Sequence, residues 1–401
     1  MDHSYPLITN IVASLAFAFL FGLIAKKIKL PTIFGYLVAG ALVGPHTPGF
    51  VADINLANQL AEIGIMLLMF GVGLHFSIKD LAVVYKIAVF GAITQIMVII
   101  FLGFWVARLT DYGLLEGLVF GLTISVSSTV VLLRCLEQSR MVTSKIGKTA
   151  VGWLVVEDIF MVFTIVLLPM VIEVAANNSN PDLNLMMGQF ALILFKIILF
   201  ILLMIFVVRR ILPKILIFID NTHSEELMSL GVITIALGFA FIAYSFFHGS
   251  FALGAFLAGM ALNESEIGKK SANKSIPLRD IFAVLFFISV GMLFNPMVLI
   301  NEPIMILMIV AIIIFGKSIC AYVIARCFRY SISESLMLGF SLAQIGEFSF
   351  ILAGLALETK IFPSNLYDLI LASAIISIAA NPFLFKLAKK FSHLHKEIGH
   401  N

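Results

Sequence analysis

Charge is what this sequence has least of. Asp, Glu, Lys and Arg make up only 12% of its 401 residues, against about a quarter in soluble domains. That shortage, with a mean hydropathy of +1.09, excludes an ordinary soluble globule. Cysteine is scarce too. Cys135, Cys320 and Cys327 show neither a paired spacing nor a metal motif and read as packing residues. A phosphate loop, a zinc-ligand spacing and a nucleophile motif are missing. Enzyme chemistry, a cofactor and a nucleic-acid partner therefore have no support. The first apolar run lacks a basic start and a small-residue cleavage site, so no cleavable signal peptide is expected.

What is present is hydrocarbon. Apolar stretches of about 20 residues, enough to cross a bilayer, recur from end to end. The sequence predicts an all-α polytopic membrane protein with thirteen spans: 7–25, 31–45, 57–76, 86–109, 114–136, 147–173, 187–212, 223–246, 250–263, 278–296, 302–327, 333–357 and 365–391. The basic residues test that count. Of the 26 lysines and arginines, 22 fall in alternate connections or at the C-terminal end, on one side. Arg108 and Lys360 fall on the other side, and Lys196 and Lys317 lie within spans. The positive-inside rule then sets the N-terminus outside and the C-terminus in the cytoplasm.

An internal repeat runs through the spans. Gly35-Tyr-Leu-Val-Ala-Gly-Ala-Leu42 resembles Gly254-Ala-Phe-Leu-Ala-Gly-Met-Ala261 at an offset of 219. Phe70-Gly-Val-Gly-Leu-His-Phe-Ser77 resembles Ile288-Ser-Val-Gly-Met-Leu-Phe-Asn295, and Gly121-Leu-Thr-Ile-Ser125 resembles Gly339-Phe-Ser-Leu-Ala343, both at 218. Spans one to six match spans eight to thirteen. The single crossing between them inverts the second copy, giving a 6+1+6 plan common among secondary transporters. Gly40-Ala-Leu-Val-Gly44 adds a small-residue face that could pack spans within one protomer or between two.

The few polar groups inside the spans are the candidate site. Span five carries Ser127, Ser128 and Thr129; span twelve carries Gln344 and Glu347. Small and polar residues at mid-span suit helices that break and expose backbone groups to a cation. Hydroxyls back-bonded within an intact helix are the alternative for span five. Span six carries Glu157 and Asp158 in Gly152-Trp-Leu-Val-Val-Glu-Asp-Ile159. From Ile146 to Ile172 only Lys148 joins them as a chargeable residue. A carboxylate there costs roughly 2.5–3.5 kcal/mol on insertion scales. Neighbours on a helix point about 100° apart, so the pair cannot share one partner squarely. Lys317 in span eleven is the intramembrane counter-charge. Three carboxylates against one lysine leave charge unbalanced, and a mobile cation or proton is expected at Asp158. A structural ion-pair network among Lys317 and Glu347 is the competing reading.

These residues resemble a known family. Leu30-Pro-Thr-Ile-Phe-Gly-Tyr-Leu-Val-Ala-Gly40, Ser127-Ser-Thr129, Glu157-Asp158, Gly254-Ala-Phe-Leu-Ala-Gly259, Phe287-Ile-Ser-Val-Gly-Met292 and Gln344-Ile-Gly-Glu-Phe348 look like the monovalent cation:proton antiporter-2 family, in the Kef- and YbaL-like bacterial branch. The resemblance covers the membrane domain. It implies a sodium/proton antiporter fold with two crossed broken helices, a homodimer in the bacterial inner membrane, and exchange of protons for Na+ or K+. It implies a dimerisation part at 1–76 and 223–296, a moving core at 86–173 and 302–391, a linker helix at 187–212 and a cytoplasmic tail at 392–401. It also implies that Asp158 carries the cation or proton and that Glu157 pairs with Lys317. Kef members have glutamine where this chain has Glu157. Kef-type chains also usually continue into a nucleotide-binding domain, and no Gly-rich dinucleotide fingerprint follows the last span here. A gated K+ efflux channel is the rival function.

The charge asymmetry makes one expectation directly measurable. A cysteine at Asn178 should react with an impermeant thiol reagent added outside, and one at Ala272 should not. The reverse pattern would invert the orientation.

Overall fold

The computed structural model describes residues 6–47, 53–74, 78–110, 112–177, 183–247, 250–263 and 276–398. Asn178 and Ala272 lie outside the described residues. The described residues form helices and no strand, as hydrocarbon requires when water cannot satisfy backbone groups. In chain order they are α1 (Pro6–Lys27), α2 (Thr32–Val43), α3 (Ile54–Gly73), α4 (Ile78–Leu109), α5 (Leu114–Ser125), α6 (Thr129–Gln138) and α7 (Lys145–Asn177). There follow α8 (Leu183–Leu203), α9 (Arg209–Asp220), α10 (Glu225–Phe247), α11 (Phe251–Asn263), α12 (Ile276–Met292) and the single turn α13 (Val298–Asn301). The last five are α14 (Pro303–Ala311), α15 (Lys317–Cys327), α16 (Ile332–Ser341), α17 (Glu347–Glu358) and α18 (Ser364–Ile398). Eight helical stretches among the described residues are long and apolar enough to cross a membrane, among them Leu81–Leu109 and Pro303–Cys327. Shorter apolar helices stand at Thr32–Val43, Phe251–Asn263 and Asp280–Met292. The protein is a multi-pass membrane protein.

Several span boundaries differ from the sequence expectation: α4 begins at Ile78 rather than 86, and α18 runs to Ile398 rather than 391. The stretch expected at 187–212 runs on as helix to Asp220, through a π-helical turn at Met204–Val208 and past Pro213. A second π-helical turn, Ile312–Gly316, joins α14 to α15 immediately before Lys317. Such turns are rare and concentrate at functional sites.

The chain divides into two compact units. One comprises Met1–Gln59, Val84–Glu157 and Val284–Asn401; the other comprises Leu60–Val83 and Asp158–Ala283. In the first, α1 packs along α2, and α16 and α14 pack on α18. α17 packs on both α5 and α18. In the second, α11 packs on α10, and Val162 of α7 meets Ile193 and Ile197 of α8.

Glycine sets the closest contacts. A Cβ on Gly40 would lie 2.1 Å from the carbonyl oxygen of Ile288, and one on Gly291 would lie 2.3 Å from that of Leu37. The Gly40–Gly44 face thus packs within the protomer, α2 against α12. In the other unit a Cβ on Gly259 would stand 2.2 Å from Phe70 O, and one on Gly73 2.2 Å from Phe256 O. No side chain fits at any of these positions unless the helices separate. Gly259→Ala should therefore destabilise the protein by about 1–3 kcal/mol, the usual cost of overpacking. Gly238→Ala, with open space around its Cβ, should not. Thermal unfolding of the solubilised variants checks this, and equal midpoints would show that the α3–α11 contact yields freely.

Candidate functional site

Two helices of the first unit stop inside the fold and start again. α5 ends at Ser125, Val126 to Ser128 are extended or nearly so, and α6 begins at Thr129. α16 ends at Ser341, and α17 begins at Glu347. Thr123 and Ser125 do back-bond, to Val119 O and Leu122 O, both at 2.7 Å. They do so on the last turns before the break, so the intact-helix alternative for span five is incorrect.

Each break leaves helix-end N–H and C=O groups that need partners. The side chain of Gln344 supplies several. Its Oε1 accepts from the Ser128 N–H at 2.5 Å, and its Nε2 donates to Ser128 O at 3.0 Å and Ser341 O at 3.4 Å. One amide thus clamps both backbone groups of Ser128. Ser128 Oγ caps α6 by accepting from Val131 N at 3.3 Å. Ser127 Oγ donates across to Leu342 O at 3.2 Å. Gly346 lets the two breaks touch, since a Cβ there would lie 2.5 Å from Ser128 Cβ.

The charged residues meet these same helix ends. Glu157 is fully buried. Its Oε2 accepts from the Ser127 N–H at 2.7 Å, beside the N-terminus of α6. Its Oε1 accepts from Gln95 Nε2 of α4 at 2.8 Å and from Trp153 Nε1, one turn back on α7, at 3.1 Å. Lys317 is also fully buried, and its Nζ donates to Gln344 O at 2.8 Å, just beyond the C-terminus of α16. An anion at a helix N-terminus and a cation at a C-terminus each oppose the local end of the helix dipole. The carboxylate and the ammonium therefore neutralise the breaks as well as attracting each other through space.

The expected Glu157–Lys317 ion pair is absent among the described residues. The carboxylate is held by three N–H donors and the ammonium by a carbonyl. The physical reason is that the breaks offer both charges closer, uncharged partners. Asp158 is buried, 2% exposed, and follows Glu157 on α7. Thr129 and Glu347 are the half-buried first residues of α6 and α17. The sequence reading missed Gln95 and Trp153. The signal for Gln95 was available: it is the one amide or acid in the apolar body of α4, and polar groups in spans bond across helices. Trp153 is signalled only by standing four residues before Glu157, on the same helix face. Gly91 makes room for its indole, because a Cβ there would lie 2.1 Å from ring carbon Cζ3. Among the described residues, no group of three or more His, Cys, Asp or Glu is placed to hold a metal ion.

The comparisons with known proteins agree on the class. Residues 15–387 match the family model described as "Sodium/hydrogen exchanger, transmembrane". The chain is 50% identical, over 98% of its own length and 70% of the other's, to the putative cation/proton antiporter YbaL of Escherichia coli (strain K12). It is 32% identical to K(+) efflux antiporter 5 of Arabidopsis thaliana, over 95% of its length and 66% of that protein's. The chain thus spans about two thirds of the plant relative. Its fold matches the sodium proton antiporter MjNhaP1 of Methanocaldococcus jannaschii with a TM-score of 0.69, at 18% identity, over 96% of this chain and 98% of that one. The chain belongs to the sodium/hydrogen exchanger family, a family of cation/proton antiporters.

Gln95 gives the site a sharp test. Gln95→Leu removes one of three donors to a buried carboxylate. Hydrogen bonds to charged groups contribute about 1.5–3 kcal/mol each, and a loss of that size should appear as a lower unfolding midpoint. An unchanged midpoint would mean that Trp153 and the Ser127 amide hold Glu157 alone.

Proposed function

We propose that this protein exchanges protons for a monovalent cation, Na+ or K+, by alternating access, with Asp158 as the carrier. The observation that supports this most directly is the division of labour along α7. Glu157 is engaged by Gln95, Trp153 and Ser127, and Lys317 by Gln344. The next residue, Asp158, is buried as well and points about 100° away on the helix. One carboxylate balances one charge, so cation and proton compete for it. The names of the relatives support K+ (the plant proteins) and the fold match supports Na+ (MjNhaP1). Ser127, Ser128 and Thr129 are the proposed contributors from the first break, Ser128 held in place through its N–H, C=O and hydroxyl, with Glu347 and Gln344 as charge and backbone partners at the second.

The reading includes thirteen spans in a 6+1+6 inverted repeat, with scaffold 1–76 and 223–296, core 86–173 and 302–391, linker 187–212 and tail 392–401. Close glycine contacts support the repeat. A Cβ on Gly35 would meet Phe21 O, and one on Gly254 would meet Phe239 O. Gly40 meets Ile288 O as Gly259 meets Phe70 O, and Gly121 meets Ile100 O as Gly339 meets Ser318 O. Every member of these pairs is displaced by 218 or 219 residues from its counterpart. The helix starts Leu114 and Ile332, and Thr129 and Glu347, are also 218 apart. The reading further includes a homodimer in the bacterial inner membrane, N-terminus outside and C-terminus in the cytoplasm.

Purified protein in liposomes with a pH-sensitive dye tests the function. Addition of Na+, K+ or Li+ should drive proton movement in wild type. Asp158→Asn should abolish it while the protein elutes and unfolds normally, and normal flux in that variant would sink the carrier assignment. Valinomycin clamping of the membrane potential reads the stoichiometry: flux indifferent to the clamp means one-for-one exchange, and acceleration by it means that charge moves. Single-channel currents would favour the channel reading.

A further inference from the structure

A groove remains on the second unit that no part of the transport site uses. It has a volume of about 750 Å³ and runs between the helix from Leu203 to Thr222 and the facing side of α10, from Leu227 to Ile242. Its lining is hydrocarbon apart from Thr222 and Thr234. The groove exists because α10 places Gly231, Thr234 and Gly238 on one face, at helical spacing. Nothing lies within 4 Å of the position a Cβ would take on Gly238.

The charge beside the groove is specific. Val208, Ile211, Ile215 and Phe218 face it. Arg210 and Lys214 stand on the adjacent face, one turn apart, both exposed. Among the described residues neither makes an ion pair or a hydrogen bond. Long basic side chains of this kind lie along apolar surface and extend their charge to the interface. Asp220, Glu225 and Glu226 gather beyond them, at the loop end of the groove. An anion is therefore drawn to the level of Arg210 and Lys214 and repelled from the loop.

We propose that this groove binds an anionic phospholipid, phosphate at Arg210 and Lys214 and acyl chains along the lining from Gly238 toward Leu203 and Ile242. Hydrocarbon walls alone would accept any lipid. The paired cations add the preference for a net negative headgroup.

Native mass spectrometry of the intact chain, titrated with phosphatidylglycerol or with phosphatidylcholine of the same chains, tests it. Wild type should retain phosphatidylglycerol about thirtyfold more strongly, given roughly 1 kcal/mol for each of the two basic residues near an anionic headgroup. The double variant Arg210→Gln, Lys214→Gln should lose that preference and still hold either lipid. Gly238→Phe, which fills the channel without a clash at Cβ, should lose both. Equal retention of the two lipids by wild type would overturn the proposal. So would a Gly238→Phe variant that keeps its lipid, or one that changes only from dimer to monomer in light scattering, which would make the groove a protein interface. Should Gly238→Phe fail to elute as a folded species, the surface variant decides alone, and an undiminished preference in it overturns the assignment.

Discussion

A chain that leaves the helical conformation inside hydrocarbon exposes N–H and C=O groups that water cannot reach. The rest of this structure depends on how that debt of hydrogen bonds is met at Ser128. One side chain, Gln344, takes both backbone groups of Ser128 and reaches Ser341 as well. With that clamp in place the two breaks can lie together, and Gly346 lets them approach. The α6 N-terminus then faces Glu157 and the α16 C-terminus faces Lys317. The charges do not so much find each other as find the ends of interrupted helices. A buried carboxylate and a buried ammonium become tolerable because each opposes a partial charge that the fold itself has created.

Much of this was legible in sequence, for definable reasons. Helical spans declare themselves by length and hydropathy, and α1, α2, α10 and α11 begin and end close to the expected positions. The polar runs around Ser127 and Gln344 declared the breaks, because small and polar residues have few other uses at that depth. What the sequence did not reveal was pairing. Glu157 and Lys317 look like partners when charge alone is counted. Their actual partners, Gln95, Trp153, the Ser127 amide and the Gln344 carbonyl, are set by which helix ends come near. Two of those four partners are backbone groups, and composition says nothing about them. The glycines behaved in the opposite way. Gly40, Gly73, Gly259 and Gly291 look like loose small-residue motifs in the sequence, yet each marks a specific backbone crossing.

The same logic explains why the protein reads as α throughout yet carries two π-helical turns. Ile312–Gly316 directly precedes Lys317, and Met204–Val208 precedes the amphipathic α9. A π turn rotates the residues that follow it relative to those before. In the first case the residue delivered is the buried ammonium. In the second it is the run that carries Arg210 and Lys214 beside the apolar groove. Both turns sit where a helix changes what it presents.

Trp153 has a consequence of another kind. The chain has only two tryptophans. Trp105 is half-exposed at the outer surface of α4, whereas the Trp153 indole is completely buried and donates its N–H to Glu157. An indole so placed feels the electric field of the carboxylate it touches, and its excited state shifts when that field changes. The molecule therefore carries its own optical gauge of the site: one deep indole bonded to the buried acid, with a single half-exposed indole, Trp105, as the other tryptophan signal.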